Sequence, residues 1–257
     1  MIQRPGLEYN DKKHEYRLNG EKLLGVSTVA KIGDTDIWGV ASAWAFRIGY
    51  EGAFDIIRDK DLGLDAPLTK DDLREALKRA RKTPWHKTDE SKDRGNSIHA
   101  ALESLAQNNV VPVLEDYPEA QRGYIRGLCA WYVDYRPSFE ATEVQVVSEK
   151  YLYAGRYDMR CIIETGNITC PVELLLVDLK TGKHVYGTTQ YVQLAGYELA
   201  SVEMGYTPTD SQYILNVKED GTYEFAKSCA TPDDFLAYLA AHRVIQRIKK
   251  EAKDASS

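Results

Sequence analysis

The sequence predicts an α/β (α+β) fold, a mixed central sheet flanked by helices, and three observations carry that expectation. Glu143 to Lys150, Tyr153 to Ile163 and the apolar run Leu174-Leu175-Leu176-Val177 are rich in strand-forming residues. Turn signals separate them, Thr165-Gly166-Asn167 among these, so they read as a three-stranded meander. Segments of helical periodicity enclose the meander, Asp93 to Asn108 before it and Gly187 to Met204 after it. A second hairpin and a well-marked helix start then follow.

Taken in order, Tyr16 to Val26 carries an Asn19-Gly20 pair, the residues of a tight hairpin turn. Asp36 to Ile57 reads as helical, with Trp38, Ala41, Trp44 and Ile48 able to cover a core. Asp61 to Pro67 reads as a surface loop and Leu73 to Arg81 as a short basic helix. Residues 1–92 are therefore expected to form a mainly helical addition packed on a core of residues 93–257. Within that core, Ile98, Leu102 and Leu105 mark the inner face of the first helix. Val192, Ala195, Leu199 and Val202 mark that of the helix ended by Gly205. Ser211 to Val217 and Thr222 to Ala226 form a hairpin across Glu219-Asp220-Gly221. Thr231-Pro232-Asp233-Asp234 supplies a cap, a first-turn proline and two acids to a last helix, whose apolar side is Phe235, Leu239 and Ile245.

With 257 residues, 43% of them hydrophobic and 28% charged, the composition is that of a soluble globular protein. No apolar run reaches membrane-spanning length and no signal-peptide pattern opens the chain, so the cytoplasm is the default expectation. A net charge of -6 opposes a polyanionic partner. The charge is uneven, however. Arg74, Lys78, Arg79, Arg81, Lys82 and Lys87 face only Glu75 in one short segment, with Trp85 available to stack on an unpaired base. The same stretch also reads as a solvated helix face followed by a loop.

The chemistry begins where the Leu-rich strand breaks its own pattern. After Val177 come Asp178 and Lys180, which share one face of the strand while Leu179 points to the other. Charges placed at the end of a buried strand need compensation. Antiparallel pairing in the meander brings Asp158, within Gly155-Arg156-Tyr157-Asp158, beside Asp178. Two carboxylates at about 4 Å repel by roughly 4 kcal/mol at an effective dielectric of 20, a cost that a bound cation removes. His99 and Glu103 stack one turn apart on the preceding helix, where an imidazole can ligate a metal and a carboxylate can orient water. Gly95 within that helix points to a close backbone approach. Gln193 and Tyr197 are likewise one turn apart on the later helix. Taken singly, each of these also reads as ordinary structure: a strand reaching solvent, a hairpin aspartate, two helix surfaces.

Together and in this order, Gly-x-x-x-His-x-x-x-Glu, Gly-x-x-Asp, Asp-x-Lys and Gln-x-x-x-Tyr resemble the motifs of the RecB-like branch of the PD-(D/E)xK nuclease superfamily, which includes phage exonucleases. The resemblance covers Asp93 to Val217. It implies a restriction-endonuclease-like core and Mg2+ or Mn2+ held by His99, Asp158, Asp178 and the Leu179 carbonyl. Lys180 would position the hydrolytic water and stabilise charge on the phosphate, with Glu103 completing the helical motif. Gln193 and Tyr197 would contact DNA and support the site, and Glu143 falls where related nucleases carry a supporting acid on the first strand.

Some members of this branch hold an iron–sulfur cluster through one upstream cysteine and a C-terminal group of three. The thiols here are Cys129, Cys161, Cys170 and Cys229, without such a group, so no cluster is expected and buried free cysteines are. Cys161 and Cys170 flank one turn, which leaves open their mutual approach. No GxxxxGK[ST] phosphate loop is present, so nothing points to an ATP-driven motor. The resemblance thus leads to an exonuclease on DNA ends in phage or bacterial recombination or replication. It would work in a bacterial or phage-infected cell, in company with a recombination or single-strand-annealing protein. A restriction-like or structure-specific endonuclease and a non-catalytic end-binding module stay open, as does the oligomeric state.

Overall fold

A computed structural model of the chain describes residues 4–11, 13–33, 84–182, 185 and 187–255, with the isolated positions 48, 49, 51, 69, 71, 74, 75 and 78. The chain divides into two compact units, Met1–Asp34 with Ile98–Ser257, and Thr35–Ser97. Residues 1–34 group with the main unit because the N-terminal strands join its sheet.

The first unit is mixed α/β. Its open sheet has eight strands: β1 (Leu7–Asn10), β2 (Glu15–Leu18), β3 (Glu21–Gly25), β4 (Ser138–Ser148), β5 (Tyr153–Glu164), β6 (Val172–Lys180), β7 (Ser211–Val217) and β8 (Tyr223–Lys227). The order across the sheet is β1-β2-β3-β5-β6-β7-β8, with β4 also paired to β5. The helices are α1 (Val26–Ala30), α2 (Pro84–Asn108), α3 (Glu119–Tyr135), α4 (Thr188–Glu203) and α5 (Pro232–Asp254). α2 begins in the second unit and ends in the first.

Local chemistry accounts for most boundaries. Asn19 and Gly20 both take positive φ, 50° and 85°, so β2 and β3 are joined by the mirror-image turn that suits strand twist. Thr231 caps α5 in a reciprocal box with Asp234. α2 starts at Pro84 rather than near Asp93, because a proline lacks the N–H that a first helical turn would leave unpaired. Trp85 therefore lies on a helix and not in a loop.

Two apolar layers close the sheet. On one face Val26, Val29, Ala195, Ala200, Phe235 and Leu239 of α1, α4 and α5 pack against Val144, Val146, Tyr153, Tyr157, Leu176 and Ile214. On the other, Ile98, Leu102, Ile125, Leu128 and Trp131 of α2 and α3 pack against Met159, Cys161, Leu175, Val177 and Leu215. Each fully buried large side chain stabilises the fold by roughly 1.5–3 kcal/mol.

Three expectations change. Val202 is 40% exposed and Ile245 39% exposed, so neither belongs to the inner face of its helix. At 3.6 residues per turn, Val202 is rotated about 80° from Val192 and Ile245 about 120° from Leu239, beyond the stripe that meets the sheet. All four cysteines are free, but only Cys161 is buried; Cys170 and Cys229 are exposed and Cys129 is half-buried. The helix expected over Asp36 to Ile57 lies outside the described residues apart from Ile48, Gly49 and Glu51, which are helical, as does the loop Asp61 to Pro67.

Candidate metal centre

The site forms where β5 changes neighbours. One edge of β5 is taken along most of its length by β4. The other edge is shared: β3 runs parallel to it at Tyr153 and Ala154, and β6 runs antiparallel to it from Met159 to Glu164. Gly155 to Asp158 lies between these two pairings, a gap in the ladder. Backbone groups freed there must find other partners. The Leu179 N–H finds one in Asp158 Oδ2, which accepts it at 2.6 Å. A ring fills the space as well. A Cβ on Gly155 would meet Tyr197 Cε1 at 2.4 Å and Val26 Cγ2 at 2.9 Å, so only glycine admits Tyr197 here.

A second irregularity sits across the strand pair. Thr142 pairs with Met159 and Val144 with Tyr157, which places Glu143 opposite Asp158. Glu143 has φ 52°, a left-handed backbone in the interior of a strand. Tyr157 packs in the α4 layer whereas Met159, two residues on, packs in the α2 layer. Regular alternation would send both to one face. The strand pair turns over at Glu143 and Asp158, and this carries both carboxylates to where α2 delivers His99. A non-glycine residue held at such a φ costs about 1–3 kcal/mol, and such strain concentrates at functional sites.

His99 Nδ1 lies 3.3 Å from Asp158 Oδ1 and 3.7 Å from Glu143 Oε1. One ligand atom from each of His99, Glu143 and Asp158 falls within 4.8 Å of the others. Beside them Lys180 forms an ion pair with Asp178. Asp178 Oδ2 is buried and, that ion contact apart, has no directed hydrogen bond. Arg156 Nε donates to Glu143 Oε2 at 2.9 Å.

The electrostatics follow from three acids, Glu143, Asp158 and Asp178, packed against His99, Arg156 and Lys180. Burial works against a charged His99, but the adjacent Asp158 and the bond to Glu143 outweigh it and push the imidazole up to about 10. Burial alone would raise Asp158, yet His99, Lys180 and the Leu179 amide hold it below the ordinary carboxylate value. At Asp178 burial prevails, aided by the charge on Asp158, and carries the carboxyl up to about 6 despite Lys180. Burial opposes the charge on Lys180, and Asp178 with Asp158 raises it nonetheless. A divalent cation held by these residues would compete with the proton on His99.

The donor set fits such an ion. Carboxylate oxygens are hard ligands, one imidazole can join them on Mn2+, and the ligand atoms of His99, Glu143 and Asp158 lie within 4.8 Å of one another. His99, Glu143 and Asp158 would hold the ion, with Asp178 adjoining.

The remaining expected residues divide. Glu103 lies outside the His99, Glu143 and Asp158 group. Its carboxylate accepts from Gln107, which also reaches Thr142 at 3.3 Å. Leu179 contributes its amide to Asp158 and its side chain to the α2 layer. Tyr197 is only 3% exposed, so its ring offers no face to a base. Its hydroxyl accepts from Gln193 at 2.6 Å. Arg79, Arg81 and Lys82 lie outside the described residues, and Trp85 is described only as helical backbone.

Three residues were missed or undervalued. Glu143, expected only as support, belongs to the ligand group, and its signal was position on the first strand. Arg156 was visible inside the Gly155–Asp158 motif but received no role. Asn216 lies in register with Lys180 on the neighbouring parallel strand, buried, with both amide atoms unpaired. An asparagine in a strand otherwise apolar, Ile214-Leu215-Asn216-Val217, was the available sign.

In comparisons with known proteins, no family model matches the chain and no curated protein does.

Proposed function

We propose that the chain is a metal-dependent deoxyribonuclease with a restriction-endonuclease-like core, an exonuclease hydrolysing phosphodiester bonds at DNA ends. One observation carries the reading: an imidazole and two carboxylates from three separate elements gather at one point, with a buried carboxylate–ammonium pair beside them. A structural salt bridge does not need this arrangement. Bringing the buried Asp158 and Asp178 beside the partly buried Glu143 is unfavourable unless cationic groups offset their repulsion.

Mg2+ or Mn2+, when bound, would lower the pKa of a coordinated water and withdraw charge from the phosphate. Asp158, tied to Leu179, offers its other oxygen to the ligand group in a fixed direction. Glu143 is fixed in the same way by Arg156. His99 would hold the ion as the neutral imidazole, and Lys180, whose charge Asp178 and Asp158 favour, would serve as a cationic donor to the attacking oxygen and the developing negative charge. Tyr197, held by Gln193, packs against Gly155 at the start of the Gly155–Asp158 segment.

No helix among the described residues is long and apolar enough to cross a membrane. DNA with a free end, a recombination or annealing partner and a cytoplasmic setting belong to the proposal.

The test is nucleotide release from linear DNA with Mg2+, with chelator, and with Lys180→Ala. Release that needs the metal and falls about 10²–10³-fold in the variant supports an enzyme. Unchanged release in the variant, or none from the wild type with either ion, contradicts it. Cleavage of closed circular DNA would select the endonuclease reading instead.

A further inference from the structure

We propose that Arg156 is an anion clamp which binds a backbone phosphate of the nucleic-acid strand, adjacent to the phosphate at the metal centre. The proposal rests on the reading of that centre as a phosphodiesterase site.

Arg156 lies two residues before Asp158 on β5, about 6–7 Å along the strand at roughly 3.3 Å per residue. Two contacts fix its guanidinium. Nε donates to Glu143 Oε2 at 2.9 Å, and the guanidinium carbon stands 5.4 Å over the ring of Tyr9. Tyr9 is itself braced. Its ring lies 4.6 Å from that of Tyr16, and its hydroxyl is 2.8 Å from His14 Nδ1. Tyr16 is buried with Leu23, Val147 and Ala154, so the brace reaches into the core through β2 and β3. The N-terminal strands thereby gain a part in the site that no sequence motif gave them.

The Arg156 side chain remains 40% exposed, and Glu143 is its only ion-pair partner among the described residues. With Nε engaged, the paired Nη groups on the far edge of the fork remain for an oxyanion. That edge matches two oxygens of a phosphate.

A purely structural role explains the placement poorly. A half-exposed arginine–carboxylate pair contributes only about 0–1 kcal/mol. Here the carboxylate is also a candidate metal ligand, so the guanidinium charge competes with the cation for Glu143. The same bond orients Glu143, and the outward edge of the guanidinium still carries donors and charge that an arriving anion can use. A nucleic-acid strand brings a phosphate at every nucleotide, and Glu143, Asp158 and Asp178 would repel the neighbouring one without a local positive charge.

The test is binding of a labelled single-stranded oligonucleotide by the full chain, with Ca2+ in place of Mg2+ and DNA integrity checked after each titration. Affinity is measured across about 50–200 mM salt for wild type, Arg156→Ala, Arg156→Lys and Tyr9→Ala. Loss of one phosphate contact lowers the slope of log affinity against log salt by about 0.7 in Arg156→Ala. The dissociation constant rises roughly tenfold at the lowest salt, as loss of a charge-assisted hydrogen bond implies. Arg156→Lys keeps the slope and recovers part of the affinity, which also shows that position 156 tolerates change. Tyr9→Ala weakens binding and leaves the slope unchanged, because it removes only the brace.

An Arg156→Ala variant with wild-type slope and affinity overturns the clamp alone. So does a variant that loses Mn2+ affinity but keeps the slope, for Arg156 would then only orient Glu143. Wild type that neither binds nor cleaves DNA overturns the reading of the centre and the clamp with it.

Discussion

The Asp158 carboxylate accepts the Leu179 N–H at 2.6 Å, fastening β5 to β6 just past their last ladder pair, Met159 with Val177. One side chain thus replaces a backbone partner and faces the ligand group as well.

The two tasks of Asp158 separate by substitution. Asp158→Asn keeps an acceptor for the amide and removes the charge that pairs with His99 and Lys180. The metal-free variant should unfold in urea within about 1 kcal/mol of wild type, while Mn2+ binding and cleavage are lost. Asp158→Ala leaves the buried N–H unpaired and should cost about 1–3 kcal/mol more. Equal stabilities for the two variants would remove the structural role of the bond.

The pH dependence has a definite sign. Burial pushes the Asp178 carboxyl up to about 6, above its unfolded value near 4, so its stabilising contribution is present below about pH 4 and lost as pH rises through about 6. For His99, held at about 10 against an unfolded value near 6.5, the contribution is full below about pH 6.5 and lost as pH rises through about 10. A divalent cation bound there would displace the His99 proton and neutralise the acids. The gap in melting temperature between Mn2+ and chelator should therefore widen from about pH 5 to about pH 8. A gap that stays constant or narrows contradicts this electrostatic account.

Gly155→Ala should destabilise the fold by about 1–3 kcal/mol, since the new methyl group meets the Tyr197 ring and Val26 in a filled space. Combined with Tyr197→Ala, which opens that space, the loss should be less than the sum of the two single losses. Chemical denaturation of the four proteins in the cycle measures both. Strict additivity would show that the ring does not require the glycine.

Asn216 keeps two buried amide atoms without partners one strand away from Lys180. Were a cation to draw on Asp178, the Asn216 amide oxygen would be a candidate acceptor for the Lys180 ammonium. Asn216→Leu should leave urea stability unchanged or raise it by about 1 kcal/mol, because it removes unsatisfied polar groups. Turnover should fall while Mn2+ affinity stays the same. Unimpaired turnover would reduce Asn216 to a structural residue.

Much of this arrangement could be read from residue order. The meander, the hairpin turn at Asn19 and Gly20, the Thr231 cap and the approach of Asp158 to Asp178 all follow from local rules: period-two alternation, turn residues and antiparallel register. What could not be read depends on broken rules. The turnover of the strand pair at Glu143 rests on a positive φ that glutamate gives no reason to expect, so its promotion to the ligand group was hidden. The parallel pairing of β3 with β5 joins residues far apart in sequence and leaves no periodic trace, which concealed the link from Tyr9 to Arg156. Val202 and Ile245 misled in the opposite way, since each extends an apolar pattern beyond the point where its helix still faces the sheet.

The central claim is that His99, Glu143 and Asp158 share one divalent cation. Anomalous diffraction from Mn2+-soaked crystals tests it most directly. A single peak is expected at about 2.1 Å from one atom of each residue, and the peak should be absent from Asp158→Asn crystals. A peak bound elsewhere, or none at saturating Mn2+, would contradict it.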